Sequence, residues 1–312
     1  MAFTVVPLHN LAIDPNLEVP FANGLIFKKL PDWVREESFL EYLSHHDRQS
    51  VRQGRHAFVA EYKASAIGES DPTSKSKDAK TIQENKSQTA LLATLALWLR
   101  QPSTVCYTVV LHGLPWTVPG KTEKINVIQQ SESHSPIYCH PKDVSNPVSE
   151  RHIVKAAQLH HVLSAIPKDN AVWVAMRALW AGLTTPSADI RYTLFWIGLE
   201  ALFGADDNSG EISFRVAQRV AFFLATNPEE ARDLFRKTKK CYGVRSKIVH
   251  GRWENDPEID ARMEDTEGIL RTAFRHLLDS PDLLKTFISK HRDKFLEDWV
   301  FSRSTDPPPF PQ

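Results

Sequence analysis

Apolar and polar positions change their spacing partway along the chain. Short runs rich in β-branched and aromatic residues predict strands at 3–6, 24–27, 56–62 and 105–112. A period of about 3.6 residues predicts helices at 31–44 and 87–100. The polar stretch 68–85 is crowded with Ser, Lys, Asp and Thr, and it is predicted to be a mobile loop. The first part of the chain therefore mixes strands and helices.

The pattern after the Pro-containing connection at 136–147 is helical throughout. Predicted amphipathic helices cover 147–166, 171–183, 187–203, 211–226, 228–250, 257–278 and 281–301. We therefore expect an α+β N-terminal domain at 1–146, followed by an α-helical bundle at 147–303 and a Pro-rich tail at 304–312. A role for the first domain in sensing or in substrate selection stays open.

The net charge counts against a protein that coats long polynucleotides. Among 312 residues, the 38 Lys and Arg balance the 38 Asp and Glu, so no global field attracts nucleic acid or an anionic membrane. A local basic segment remains, because eight residues between 231 and 252 are Lys or Arg and Asp233 alone is acidic. A solvated helical face explains part of this segment.

Cysteine usage and hydropathy favour a cytoplasmic protein. The three cysteines are widely spaced and lack a Cys-x-x-Cys pair, which fits a reducing cytosol. The N-terminal residues lack a basic start followed by an apolar run, and no stretch approaches about twenty apolar residues. We therefore expect neither an export signal nor a membrane span.

The segment 242–251, Tyr-Gly-Val-Arg-Ser-Lys-Ile-Val-His-Gly, combines reactive side chains with a helix stop. Ser246 and His250 are four residues apart and share a helical face, and Arg245 lies beside them. The pattern predicts that the apolar residues Val244, Ile248 and Val249 face inward. Gly251 is predicted to end the helix in the left-handed C′ position.

A histidine that exchanges protons beside an arginine that binds phosphate can cleave RNA without a metal. The ribose 2′-hydroxyl is an internal nucleophile that DNA lacks, so the protein need only move protons and stabilise the charged phosphorus centre. Arg245 and His250 have these properties, although the bare Arg/His spacing is common in sequences.

The segment 245–250 resembles the Arg-polar-x(3–5)-His motif of HEPN domains, and with Tyr242 and Gly251 it is similar to the Apea-like branch of that superfamily. The segments 194–203 and 212–219 also resemble that branch, so that the similarity covers 189–252. The resemblance implies a helical bundle that forms a homodimer in which two Arg/His motifs meet. It also implies an endoribonuclease that needs neither a metal nor a cofactor and that serves bacterial antiphage defence or acts as a toxin.

These two arguments give the candidate site. His250 is predicted to move the proton and Arg245 to stabilise the phosphorane, which yields a 2′,3′-cyclic phosphate and a 5′-hydroxyl. Ser246 and Lys247 are predicted to position the phosphate, and Tyr242 to stack on or support the substrate. Arg245 and His250 are about 140° apart on an ideal helix, so two facing copies would enclose a phosphate better than one.

Glu200 is the second candidate, because it lies in a predicted helix that is apolar almost all round. A carboxylate buried there needs a cationic or hydrogen-bonding partner. Arg245, Arg215 and Arg191 are the candidates. A buried ion pair that fixes helix order and a carboxylate that orients Arg245 for phosphate are both compatible with the pattern.

Other readings of the motif stay open. Arg245 can simply pair with a carboxylate while His250 caps a helix end. At the level of function, the main alternative is a non-catalytic helical module that binds RNA or a protein partner. A third is a toxin silenced by an antitoxin protein or released by a trigger.

Two further patterns resemble ligand sites without matching them. Gly113 and 120–122 follow a predicted strand, but their spacing and Pro119 do not fit a phosphate-binding loop. Several histidines and a cysteine lack the spacing of a zinc site, so surface or capping roles are predicted for them. They are His134, Cys139, His140, His160 and His161.

Overall fold

The computed structural model describes residues 2–14, 16–41, 43–62, 72–113, 128–131, 137–144, 147–204, 212–252 and 259–305. The chain divides into two compact units, Met1–Ala165 and Ile166–Gln312. The first contains a sheet with helices, and the second is helical over its described residues. The predicted order, an α+β part followed by a helical bundle, is confirmed.

An antiparallel sheet organises the first unit. The strands among the described residues are β1 (Ala2–Leu8), β2 (Val19–Pro20), β3 (Leu25–Lys29), β4 (His56–Tyr62), β5 (Val109–Gly113) and β6 (Ile128–Ser131). Their order is β2-β3-β4-β1-β5-β6. β1 is central, and its Val5 pairs with Val59 on β4 and Leu111 on β5. Because side chains alternate along a strand, these three residues share one face and form part of the core.

The helices of the first unit differ from the predicted pattern in several places. They are α1 (Glu37–Leu40), α2 (His45–Gln53), α3 (Pro72–Arg100), α4 (Pro141–Val144) and α5 (Glu150–Ser164). The predicted helix 31–44 is instead a 3₁₀ turn at Asp32–Arg35, extended backbone at Glu36 and the short α1. The sequence patterns predicted no element over the residues of α2.

The prediction of a mobile loop at 68–85 is wrong where the structure describes it, because α3 begins at Pro72. Residues 68–71 lie outside the described residues. Proline is favoured in the first turn of a helix, and no glycine or further proline occurs before Arg100. The polar stretch contains Lys, Gln, Glu and Ala, which are good helix formers. It therefore forms one helix with the apolar second half of α3.

α5 belongs to the first unit, and the division after Ala165 therefore falls later than the boundary predicted near residue 146. α5 packs against α3 and the chain around β2. His160 on α5 is buried, accepts a hydrogen bond from the Ala22 backbone N–H at 3.1 Å and lies 3.0 Å from the Thr89 carbonyl oxygen. The period of apolar residues predicts that α5 is a helix, but it does not predict which unit α5 packs against.

The second unit is built from α6 (Ala171–Thr184), α7 (Ala188–Phe203), α8 (Ile212–Leu224), α9 (Pro228–Val249), α10 (Ile259–Leu278), α11 (Pro281–Ile288) and α12 (Arg292–Thr305). α7 packs closely on α6, where a Cβ at Gly182 would lie 2.6 Å from the Phe195 ring. α10 packs against α7, α8 and α9. The predicted helix 281–301 is broken at Ser289, whose backbone is extended, and α12 continues to Thr305.

Two arginines hold the C-terminal end of α7. Arg219 on α8 is buried and donates to the carbonyls of Phe203 at 3.2 Å and Gly204 at 3.1 Å, while Asp293 on α12 pairs with it at 2.6 Å. Arg292 on α12 donates to the Ala201 carbonyl and, at 3.4 Å, to that of Gly204. Carbonyls at a helix end lack partners within the helix, so the two guanidinium groups supply them.

None of the helices in the described ranges has the length and apolar character needed to cross a bilayer.

Candidate functional site

The motif lies where α9 ends. Gly251 has φ 68° and donates its N–H to the Ile248 carbonyl at 3.0 Å, and Arg252 donates to the Lys247 carbonyl at 2.8 Å. This pair of bonds is a Schellman motif, and the predicted left-handed position of Gly251 is confirmed. His250 is the C-cap residue and is exposed.

The apolar residues of the motif do not all face inward. Val244 and Ile248 are buried, as predicted. The prediction for Val249 is wrong, since its side chain is 53% exposed. Each residue turns about 100° around a helix, so the residue after a buried Ile248 leaves the buried face. An apolar side chain therefore stands in solvent next to the reactive residues.

Arg245 pairs with Glu200, one of the partnerships predicted for that carboxylate. The Arg245 Nη2 and Glu200 Oε1 atoms are 3.3 Å apart, and the two side chains are 25% and 26% exposed. Of the other candidates, Arg191 donates to the carbonyls of Gly182 at 3.2 Å and Thr185 at 2.6 Å. Arg215 lies half-buried on α8. The Arg245 side chain is thus held in place and remains one-quarter exposed, although its Nε atom is buried.

Three successive contacts between α7 and α9 fix the position of Arg245. Tyr192 on α7 donates its hydroxyl to the Cys241 carbonyl at 2.8 Å. One turn later, the Trp196 ring lies edge-on to the Tyr242 ring at 5.3 Å. Glu200 follows after another turn. Because the partners on α9 occur in the same order, the two helices run in the same direction here.

Tyr242 supports Arg245 from the second side. The Arg245 Cζ atom lies 5.5 Å from the centre of the Tyr242 ring, within the range of a cation–π contact. Tyr242 is half-buried between Trp196 and Arg245, so its ring packs against both side chains. The contact of Tyr242 with Arg245 was not predicted, and its predicted role of stacking on or supporting a substrate stays a prediction.

Burial dominates the electrostatics of Glu200. Loss of solvent raises the pKa of its carboxyl, and the attraction of Arg245 lowers that pKa by less. Desolvation of the charged form therefore outweighs the ion pair.

Within one chain, Arg245 and His250 face different sides. They are separated by about 7.5 Å along an ideal helix axis and by about 140° around it. Arg245 packs toward α7, whereas His250 is exposed at the end of α9. Ser246 is half-buried, and its carbonyl accepts the His250 N–H at 3.1 Å; Lys247 is exposed. These residues form an open strip around the helix end.

The histidines considered as metal ligands do not form a cluster in the described residues. Nothing there brings three or more His, Cys, Asp or Glu side chains together as a metal would need. His134 lies outside the described residues, as do residues 120–122. For His160 the predicted surface position is wrong, because its side chain lies in the core. Its ring does accept a hydrogen bond from a backbone N–H.

Burial lowers the pKa of His160 to about 4, so its ring is neutral at pH 7. A second core histidine was missed by sequence reasoning. His112 on β5 lies 2.8 Å from the Thr4 hydroxyl and 3.4 Å from that of Ser87. Its place in an alternating strand was a usable signal, because that pattern puts His112 on the face opposite Leu111.

The chain matches no protein-family model, and neither a curated protein nor a solved structure is significantly similar to it. The HEPN resemblance therefore stays a prediction that depends on the residues between 189 and 252 alone.

Proposed function

We propose that this protein is a metal-independent endoribonuclease of the HEPN type. One observation carries the proposal. The Arg245 side chain is held by Glu200 and Tyr242 and remains partly exposed beside the last turn of α9, where His250 is exposed. A fixed cation suits a phosphorane, and a solvent-accessible imidazole can exchange a proton with a ribose hydroxyl.

The reaction is a transesterification within the RNA strand. A neutral His250 removes the proton from the 2′-hydroxyl, and the 2′-oxygen forms a bond to the adjacent phosphorus. The bond from phosphorus to the 5′-oxygen breaks, and that oxygen takes a proton from a protonated His250 of a second copy. Arg245 stabilises the dianionic phosphorane, and Ser246 and Lys247 position the phosphate. The products are a 2′,3′-cyclic phosphate and a 5′-hydroxyl.

A homodimer supplies the second motif, and an exposed apolar face on α7 supports this part of the proposal. Ile190, Leu194 and Ile197 follow one another at helical spacing, and Ile190 and Ile197 are 52% and 40% exposed. Glu200 lies on the next turn, and Val249 adds an exposed apolar side chain at the end of α9. A second copy packed on this face would cover the apolar surface and bring two open strips together.

The second candidate function is a non-catalytic helical module that binds RNA or protein. The ion pair favours it, because Glu200 neutralises Arg245 in the isolated chain. The biological setting that we propose, a cytoplasmic defence protein or toxin held by an antitoxin or a trigger, rests on the resemblance alone.

The test uses purified protein and labelled single-stranded RNA in EDTA. We expect cleavage to 2′,3′-cyclic phosphate ends, reduced at least about 100-fold in Arg245→Ala and His250→Ala. Arg275→Ala and His291→Ala are matched controls, because both residues are exposed elsewhere in the helical unit. Ile197→Asp should lower activity together with dimer content.

Cleavage that persists in His250→Ala, or that is lost equally in His291→Ala, would reject the assignment. Tight binding without any product would establish the non-catalytic module instead.

A further inference from the structure

A groove opens between α8 and α9, away from the end of α9 that carries the motif. Its volume is about 430 Å³, within the range of ligand sites. The lining is mainly apolar and aromatic, and two arginines contribute to it. The residues that matter are Phe214, Phe222, Pro228, Phe235, Arg232 and Arg236.

The aromatic part of this groove reaches solvent. Phe214 is 41% exposed, and its ring lies edge-on to that of Phe235 at 5.4 Å. Lys239 places its ammonium 5.9 Å from the centre of the Phe214 ring and 5.8 Å from that of Phe235. Phe235 is half-buried, so Phe214 offers the accessible ring of the pair. Proteins bind single-stranded nucleic acid with this combination, in which bases stack on an aromatic ring and phosphates contact a nearby cation.

A line of basic residues connects the groove with the motif. Arg232, Arg236, Lys240 and Lys247 are exposed and occur at helical spacing, so they share one face of α9, and the exposed His250 continues it. We call these four cations the α9 basic line. Gly243 lies between Lys240 and Lys247, and a Cβ there would meet nothing within 4 Å, so the face is open at that point.

Arg236, in the α9 basic line, keeps its charge available. The carboxylate of Asp233 lies 3.6 Å from Arg236, but both side chains remain more than two-thirds exposed, at 79% and 72%. Such exposed pairs contribute about 0–1 kcal/mol, so a phosphate can replace the carboxylate.

We infer that the groove binds a nucleobase of single-stranded RNA and that the α9 basic line guides the strand from there to His250. The inference deepens the proposed function and rests on RNA being its ligand. Positive charge alone would suit RNA and an acidic protein segment equally. The aromatic pair favours RNA, because any base can stack on an aromatic ring whereas an acidic peptide does not need one.

The geometry gives the length of the RNA. About 24 Å of helix separates the middle of the groove from His250 at about 1.5 Å per residue. A stacked strand rises about 3.4 Å per nucleotide, so about seven nucleotides span the distance. RNA shorter than this cannot occupy both places while stacked.

Binding is tested on intact RNA in the His250→Ala background. For a labelled 12-nucleotide strand, we expect Phe214→Ala to weaken binding about tenfold, while an abasic strand of the same length binds equally to both proteins. The double variant Arg232→Ala/Arg236→Ala should lower the slope of log affinity against log salt by about 1.4, because two phosphate contacts are lost. Lys285→Ala/Lys290→Ala removes the same charge from the exposed surface of other elements and should leave the slope unchanged.

Cleavage separates this inference from the proposed function. If the wild-type protein cleaves, the double variant should lose about tenfold in kcat/KM on the 12-nucleotide strand and nothing on a trinucleotide. If the wild type binds but never cleaves, the nuclease proposal fails while the groove result stands. Unchanged RNA affinity in both groove variants overturns the inference. So does an acidic peptide with a central aromatic residue that binds the groove without being displaced by RNA, because the groove would then serve a protein partner.

Discussion

Replacing Glu200 by glutamine should not weaken the helical unit, although it removes an ion pair. At 3.3 Å the attraction between Arg245 and Glu200 is about 5 kcal/mol at an effective dielectric constant of 20. Measured couplings of partly exposed pairs are nearer about 1 kcal/mol, because solvent screens them. The raised pKa of Glu200 shows that desolvation outweighs what remains. We therefore expect Glu200→Gln to leave the free energy of unfolding unchanged or to raise it by about 1 kcal/mol at pH 7.

Removing the arginine should have the opposite outcome. Arg245→Met leaves a half-buried carboxylate without its cation, which we expect to cost about 2 kcal/mol. The double variant Glu200→Gln/Arg245→Met has no uncompensated charge, so it should return to within about 1 kcal/mol of the wild type.

The pH dependence gives an independent sign. A carboxyl whose pKa is raised by folding stabilises the fold while protonated, below its unfolded pKa, and this contribution is lost as the pH rises through the folded pKa. Any gain from Glu200→Gln should therefore be seen at pH 7 and vanish below about pH 4.

The assay is urea unfolding followed by tryptophan fluorescence, to which Trp196 beside Tyr242 contributes. Glu297→Gln, at an exposed position of α12, is the matched control. A loss of more than about 2 kcal/mol in Glu200→Gln at pH 7, or a gain at pH 7 that persists undiminished at pH 4, would refute this reasoning.

Two other predictions concern single residues. Gly251→Ala should lower the free energy of unfolding by about 1 kcal/mol because φ is 68°, whereas Gly243→Ala, in open space inside α9, should raise it by up to about 1 kcal/mol; equal changes in urea unfolding would contradict the assigned helix end. His160 should stay neutral on acidification until about pH 4, so the first unit loses roughly 3 kcal/mol of stability as the pH falls from 6.5 to 4. An imidazole NMR titration midpoint near 6.5 for His160 would show that its ring is not buried as described.

The sequence predicts most where local chemistry decides the backbone. Asn227 followed by Pro228 predicts the start of α9, and its side chain does accept the Glu230 N–H at 2.9 Å. Gly251 predicts the end of the same helix. Both signals involve neighbouring residues only, so they need no knowledge of the fold.

Tertiary packing decides the rest. Polar composition suggested a loop at 68–85, but α3 continues through its described part because its apolar half is anchored in the first unit. Three arginines were compatible with Glu200, and only the position of α9 along α7 selects Arg245. The aromatic groove gave no sequence signal, because Phe214 and Phe235 belong to different helices and each reads as an ordinary core residue.

The two arginines at the end of α7 also determine how much of the chain a shortened version must keep. Arg292 and the acid that pairs with Arg219 both come from α12, whereas the motif ends with α9. A truncation between α11 and α12 would remove the donor to the Ala201 carbonyl and leave the buried Arg219 without its acid, while every residue of the motif stays in place. The segment 189–252 on its own should therefore be an unstable fragment, and a stable shortened chain should include α12.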